Sequence, residues 1–296
     1  MDAKVLQNQL LELIRRTSAE LPSDVVRAID KGLRREEKGT AAAYALKVIL
    51  DNIVMAKDKS QPLCQDTGTI ICYADLPPWC DETTFGKAYE KAVVEATRKG
   101  YLRQNSVDSI TGRNSGNNLG PGSPQYHLHL AKGRALTVRM MLKGGGCENV
   151  GVQYSLPDTR LGAGRDLEGV RKCLLDAVVQ AQGKGCGPGV LGVCIGGDRG
   201  SGYVAAKEEF FRELDDTNPD TRLAKLERQI MKEGNSLGIG PMGFGGATTL
   251  LGVKITHRNR LPASFYVSVS YMCWAFRRNG FVLTEGGKVS RWLYDS

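Results

Sequence analysis

The eight residues Gln61-Pro-Leu-Cys-Gln-Asp-Thr-Gly68 constrain this chain more than any other stretch, because they run directly into the apolar, β-prone segment Thr69-Ile-Ile-Cys-Tyr73. A polar turn is thereby tied to the start of a strand. The turn presents a thiol, an amide, a carboxylate and a hydroxyl on consecutive residues, Cys64 to Thr67, and closes on a glycine. A thiolate is a good ligand for a soft metal, and Gln65 and Asp66 suit the task of holding or deprotonating a polar group beside it. The same letters also describe a core cysteine entering a strand, the common fate of an unpaired cysteine.

The rest of the chain bounds these readings. With 296 residues, 41% hydrophobic and 24% charged, it has enough apolar material for a full core and the composition of a globular protein. We expect a single domain over 1–296, since no internal repeat, low-complexity linker or clear boundary interrupts it. No apolar run approaches the ~20 residues that span a bilayer. The start, Met1 to Leu10, lacks the charged-then-apolar layout of a signal peptide, so the expected location is cytoplasmic, with no membrane partner. There the eight cysteines are expected to be reduced; none forms a Cys-x-x-Cys pair, and their scatter does not suggest a disulfide framework. The net charge of +8 is dispersed, and its densest groups, Arg34 to Lys38 and Arg258 to Arg260, are short or mixed with acid. No basic block is interleaved with aromatics, so no nucleic-acid partner is expected. A solvated helix face, an anion pocket or an interface with an acidic partner would each use the excess.

Periodicity predicts a mixed α/β fold, with a helical N-terminal region followed by β-sheets packed with helices. Residues 3–56 carry helical stripes, first Val5, Leu6, Leu10, Leu13 and Ile14, then Ala41 to Met55. A helix is predicted over 81–99, with Thr84, Ala88, Ala92 and Ala96 permitting close packing. Residues 105–124 read as a Gly/Asn/Ser/Pro loop. Strands are predicted at 126–130, 136–142, 190–195, 248–256 and 265–272, and helices at 166–182 and 221–233. The remainder reads as an ordinary C-terminal tail.

The glycine motifs differ in weight. Gly238-Ile-Gly-Pro-Met-Gly243 fits Gly-x-Gly-x-x-Gly by letter, yet a charged helix precedes it and a strand follows, the wrong context for a dinucleotide. Lys143-Gly-Gly-Gly-Cys147 follows a strand and could bring backbone N–H groups close to an anion, or simply make a tight turn. Gly185-Cys-Gly-Pro-Gly189 presents Cys186 on irregular backbone, or is a helix cap with an incidental cysteine. Cys273, in Tyr-Met-Cys-Trp-Ala-Phe, lies at a strand end. His127 and His129 share a strand face, with no carboxylate motif to complete a metal site.

Taken together and in order, Cys64-Gln-Asp-Thr-Gly68, Leu102-Arg-Gln-Asn105, Lys143-Gly-Gly-Gly146, Gly185-Cys-Gly-Pro188, Leu237-Gly-Ile-Gly-Pro241 and Cys273-Trp-Ala275 resemble the α subunit of the class I, iron–sulfur fumarase and L(+)-tartrate dehydratase family over nearly the whole chain. The resemblance implies the class I fumarase N-terminal-domain fold. It also implies a [4Fe–4S] cluster with one open iron, held by residues that resemble Cys64, Cys186 and Cys273. Cys72, Cys80, Cys173 and Cys194 fall outside the matching motifs, and Cys147 occupies a position where relatives often carry serine. Asp66 and Arg103 are implied as catalytic, and Gln65, Arg103, Lys143, Gly145 and Gly146 as binding a small dicarboxylate. Bidentate guanidinium–carboxylate pairing is a physical reason for arginine at 103. Relatives carry histidine before the proline that is Pro262 here; this chain has Leu261, with His257 four residues upstream. The region that bears the family's general base has no counterpart, which implies a separate β subunit and an α2β2 assembly. The implied reaction is hydration of fumarate to (S)-malate, with L(+)-tartrate dehydration or mesaconate hydration as alternatives. A non-catalytic iron–sulfur scaffold or sensor is the reading from another class; the Asp66–Arg103 pair speaks against it.

Overall fold

Five of the helices start on an aspartate whose carboxylate accepts backbone N–H groups of the first turn: Asp2, Asp81, Asp166, Asp198 and Asp220. A carboxylate there satisfies otherwise orphaned donors and complements the helix dipole. The computed structural model describes residues 2–294. In chain order the elements are α1 (Ala3–Ala19), α2 (Ser23–Leu33), α3 (Ala41–Lys59), β1 (Thr69–Leu76), α4 (Glu82–Arg98), β2 (Gln125–Leu130), β3 (Leu136–Lys143), α5 (Gly145–Asn149), β4 (Val152–Ser155), α6 (Leu167–Ala181), β5 (Gly189–Gly196), α7 (Arg199–Glu208), α8 (Thr221–Ser236), β6 (Leu250–Arg258), β7 (Tyr266–Met272), β8 (Arg277–Leu283) and β9 (Val289–Leu293). The expected mixed α/β class is what the chain adopts. No described helix is long and apolar enough to cross a membrane.

The chain divides into two compact units. The first comprises Met1–Ser23, Asp51–Gly145 and Ala275–Ser296. Its five strands lie in the order β2-β1-β3-β8-β9, with β1 and β2 parallel and the other neighbours antiparallel. On one side its core joins Leu6, Leu10, Leu13 and Ile14 of α1 to Phe85, Tyr89, Ala92 and Ala96 of α4 and to Ile70, Cys72, Met140, Leu142 and Phe281 of the sheet. The small residues at 88, 92 and 96 let α4 sit close, as their spacing predicts. The second unit comprises Asp24–Leu50 and Gly146–Trp274. Its sheet runs β4-β7-β5-β6, and β5 is buried along its whole length. Helices α6, α7 and α8 cover it. A Cβ at Gly192 of β5 would stand 2.2 Å from the Ala206 carbonyl oxygen, so α7 packs nearly backbone to backbone on that strand.

The C-terminal stretch departs from the sequence expectation. It is not a tail: β8 pairs with β3, Leu142 opposite Arg277, and β9 closes the edge. Arg277-Arg-Asn-Gly has little β propensity of its own, and pairing with β3 overrides it. The helices α5 and α7 and the four-residue strand β4 also escape periodicity, being short or glycine-rich.

Candidate active site

The Cys64 turn is held by its own carboxylate and by a glycine. Asp66 Oδ1 accepts from Gly68 N at 2.9 Å and Oδ2 from Gly145 N at 2.7 Å, so both oxygens are engaged by backbone donors. This fixes the carboxylate between the start of β1 and the end of β3. Gly68 has φ 78°, and a Cβ there would stand 2.6 Å from the carbonyl carbon and oxygen of Lys143. Gly68→Ala is therefore expected to cost at least about 2 kcal/mol, from left-handed strain plus backbone collision. Gly100 has the same φ of 78° with nothing within 4 Å, so Gly100→Ala shows the strain alone. Denaturation midpoints of the two variants separate the contributions, and equal losses would remove the collision from the explanation.

Arg103 stands exposed beside this turn. Its N–H donates to Thr67 Oγ1 at 3.1 Å, and its Nη1 donates to the Gln65 carbonyl at 3.2 Å. That is the one hydrogen bond its guanidinium makes among the described residues, which leaves most of the planar fork facing outward. Asp66 and Gly145 also line a polar cleft of about 470 Å³, together with Asn105, Ser106, Ser123 and Gln125. Lys143 is different: it is 1% exposed at the end of β3.

In the second unit, a different group of residues gathers around Tyr271. The ring packs against the Gly185–Gly189 turn, where a Cβ at Gly185 or Gly189 would come within 2.5 or 2.2 Å of it. Cys186 sits in that turn with φ 54°, and Trp274 N donates to its carbonyl oxygen at 3.3 Å, which ties the turn to the Cys273 segment. Burial pushes the Tyr271 hydroxyl up, and the thiols of Cys273, Cys147 and Cys186 push it further. Three sulfurs thus share one neighbourhood, and Cys147 is the one the resemblance left out of the ligand set. Gly146 lies beside it at the start of α5, with a hypothetical Cβ no closer than 3.6 Å to its nearest neighbour.

The thiols divide by environment. Burial holds Cys72 well above its ordinary value, Cys80 and Cys194 up to about 11, and Cys173 up to about 12, so these four persist as core thiols. Cys64 and Cys186 are half-buried on loops, and Cys273 is buried at the end of β7. Among the described residues no three His, Cys, Asp or Glu side chains gather tightly enough for a single metal ion. An iron–sulfur cluster makes a different demand, since its thiolates stand apart around a larger body. Loop-borne soft donors beside glycine-rich backbone fit that demand.

The other sequence candidates fall elsewhere. His257 is exposed at the end of β6, and Leu261 is 73% exposed in the turn beyond. His127 stacks on Tyr73 with ring centroids 4.5 Å apart. Gly238–Gly243 forms a turn between α8 and β6, and a Cβ at Gly240 would collide with the Gly245 carbonyl oxygen at 1.8 Å. It has neither the preceding strand nor the following helix of a dinucleotide site.

This chain belongs to the fumarate hydratase family: the profile described as Fumarate hydratase (Fumerase) matches residues 7–282. Among its relatives, a Geobacillus stearothermophilus protein described as a class I fumarate hydratase is 51% identical over 293 residues, 98% of this chain and 57% of that protein. The chain thus spans little more than half of that relative's length. A Methanocaldococcus jannaschii protein described as an L(+)-tartrate dehydratase subunit alpha is 31% identical over 278 residues, 92% of this chain and 95% of that protein. The L(+)-tartrate dehydratase subunit alpha of Escherichia coli strain K12 is 29% identical over 279 residues, 92% of this chain and 89% of that protein.

Proposed function

We propose that this chain is the α subunit of an iron–sulfur hydro-lyase that interconverts fumarate and (S)-malate. The observation that carries the reading is the Cys64 turn, where an Asp66 carboxylate pinned by two backbone N–H groups lies in the same turn as Gln65, whose carbonyl holds the outward-facing Arg103 fork beside it. A guanidinium fork pairs bidentately with a carboxylate, so Arg103 would orient one end of the substrate. Asp66, held rigidly, would exchange a proton with the hydroxyl at carbon 2; Gln65 and the backbone at Gly145 and Gly146 would fix the polar end. Gly145 N already donates to Asp66, so its contribution would run through that carboxylate. Lys143, buried, would act on the substrate only through its charge or its backbone.

Cys64, Cys186 and Cys273 would hold a [4Fe–4S] cluster with one open iron. When bound, that group supplies Lewis-acid activation of the departing hydroxyl and the neighbouring carboxylate. Trans elimination also needs a base on the opposite face of the substrate, within hydrogen-bond reach of its proton. Two relatives are described as α subunits, so a separate β subunit would supply that base, in a cytoplasmic α2β2 assembly.

A second reading, an L(+)-tartrate dehydratase α subunit, is favoured by two relatives so described, each aligned over 92% of this chain. Identity favours fumarate, at 51% against 31% and 29%. The test is anaerobic co-expression with the β subunit and comparison of kcat/KM for fumarate, L(+)-tartrate and mesaconate. Fumarate should lead; a tartrate preference would replace the first reading with the second. In the same complex Arg103→Lys keeps the charge but loses the fork, so kcat/KM should fall by about tenfold or more with iron content unchanged. Normal kinetics would take Arg103 out of the site.

A further inference from the structure

Asn118 lies in the 105–124 loop, 3% exposed, with a left-handed φ of 63° that asparagine tolerates better than most residues. Each side-chain hydrogen-bonding direction is used. Its Oδ1 accepts from Asn105 N at 2.7 Å and Ser106 N at 3.1 Å. Its Nδ2 donates to the Arg103 carbonyl at 2.7 Å and to Thr97 Oγ1 at 2.9 Å. Thr97 is itself oriented by donating to the Val93 carbonyl within α4 at 2.8 Å. One amide therefore ties the carbonyl side of Arg103 and the backbone N–H groups of Asn105 and Ser106 to the end of a packed helix.

The other side of Arg103 is tied to the Cys64 turn. Thr67, 1% exposed, accepts from Arg103 N. Asn105, with its amide oxygen facing the turn as the surrounding donors require, accepts from Thr67 Oγ1 at 2.9 Å, Gly68 N at 3.2 Å and Thr67 N at 3.3 Å. Arg103 is thus clamped between two buried polar side chains, Thr67 and Asn118. An exposed, flexible guanidinium gains a defined direction when its backbone is fixed in this way.

We infer that Asn118 is the positioning residue of this site: it sets where the Arg103 fork meets the substrate carboxylate. This rests on the reading of Arg103 given above. Asn118→Asp is the informative change, because it keeps the shape and the acceptor for Asn105 and Ser106. It turns a donor into an acceptor aimed at the Arg103 carbonyl. In the αβ complex, with fumarate and (S)-malate as probes, Asn118→Asp should lower kcat/KM by about tenfold to a hundredfold, chiefly through KM. In an Arg103→Lys background the same change should add less than about twofold, since both act through one group. Fully additive losses, or an Asn118→Asp complex with normal kinetics, would overturn the inference.

Hydrogen exchange of the complex decides the question without turnover. Asn118→Ala removes the acceptor, and exchange at the Asn105 and Ser106 amides should quicken by about tenfold or more. Unchanged exchange would overturn the inference whatever the activity. Quickened exchange in a complex whose wild type turns over none of the dicarboxylates would instead overturn the proposed function and leave Asn118 as the residue that holds the segment.

Discussion

Replacing Cys186 with serine is expected to strip most of the iron from the anaerobically reconstituted protein, and replacing Cys194 is expected to leave it. Cys186 stands on a left-handed backbone in a glycine turn, half-buried, where a thiolate can be reached. Cys194 is wholly buried in β5, and burial keeps its sulfur protonated, with a pKa of about 11. A protonated core thiol is neither a nucleophile nor a ligand. The wild type should bind about four irons and lose one in air, because an open iron is exposed to oxidants. Cys64→Ser and Cys273→Ser should behave like Cys186→Ser. Cys147→Ser is the sharper case, since Cys147 shares the surroundings of Tyr271 with Cys186 and Cys273. It should retain iron. Loss of iron from Cys147→Ser with retention in Cys273→Ser would exchange those two residues in the ligand set.

Local rules carried the reading of the sequence a long way, and beyond the short or glycine-rich elements they failed where distant pairing decides the structure. Helices α1, α4, α6 and α8 follow from aspartate caps and apolar stripes, which act within a few residues. Strands β1, β3, β5, β6 and β7 follow from short apolar runs. Nothing local marks Arg277 to Gly280 as a strand. Its structure is dictated by β3, far earlier in sequence, through pairs such as Met140 with Asn279 and Leu142 with Arg277. The turn chemistry at Cys64 is visible as letters, yet the partner of Asp66 is Gly145, 79 residues away. The glycines after β3 are legible as a place of close approach, but not that one of their N–H groups is spent on that carboxylate.

Asn118 is the instructive omission. In sequence it is one of two adjacent asparagines in a glycine-rich loop, where turn propensity explains it fully. Only the fold discloses that its amide reaches Arg103, Asn105, Ser106 and Thr97 at once. A signal did exist: a loop of that composition immediately after Leu102-Arg-Gln-Asn105 must return to pack somewhere, and a buried asparagine is the residue able to serve both donors and acceptors there.

Mixing subunits tests the central claim most directly. In the proposed function this chain would supply a carboxylate, a guanidinium fork and soft thiols, and a β subunit the base required on the far face of the substrate. Anaerobically purified α chain, the β subunit alone and the two together should be assayed for fumarate hydration at matched iron content. Hydration should be absent from each subunit and present in the mixture, rising with β until the chains are equimolar. Rapid hydration of fumarate by the α chain with β demonstrably absent would contradict it.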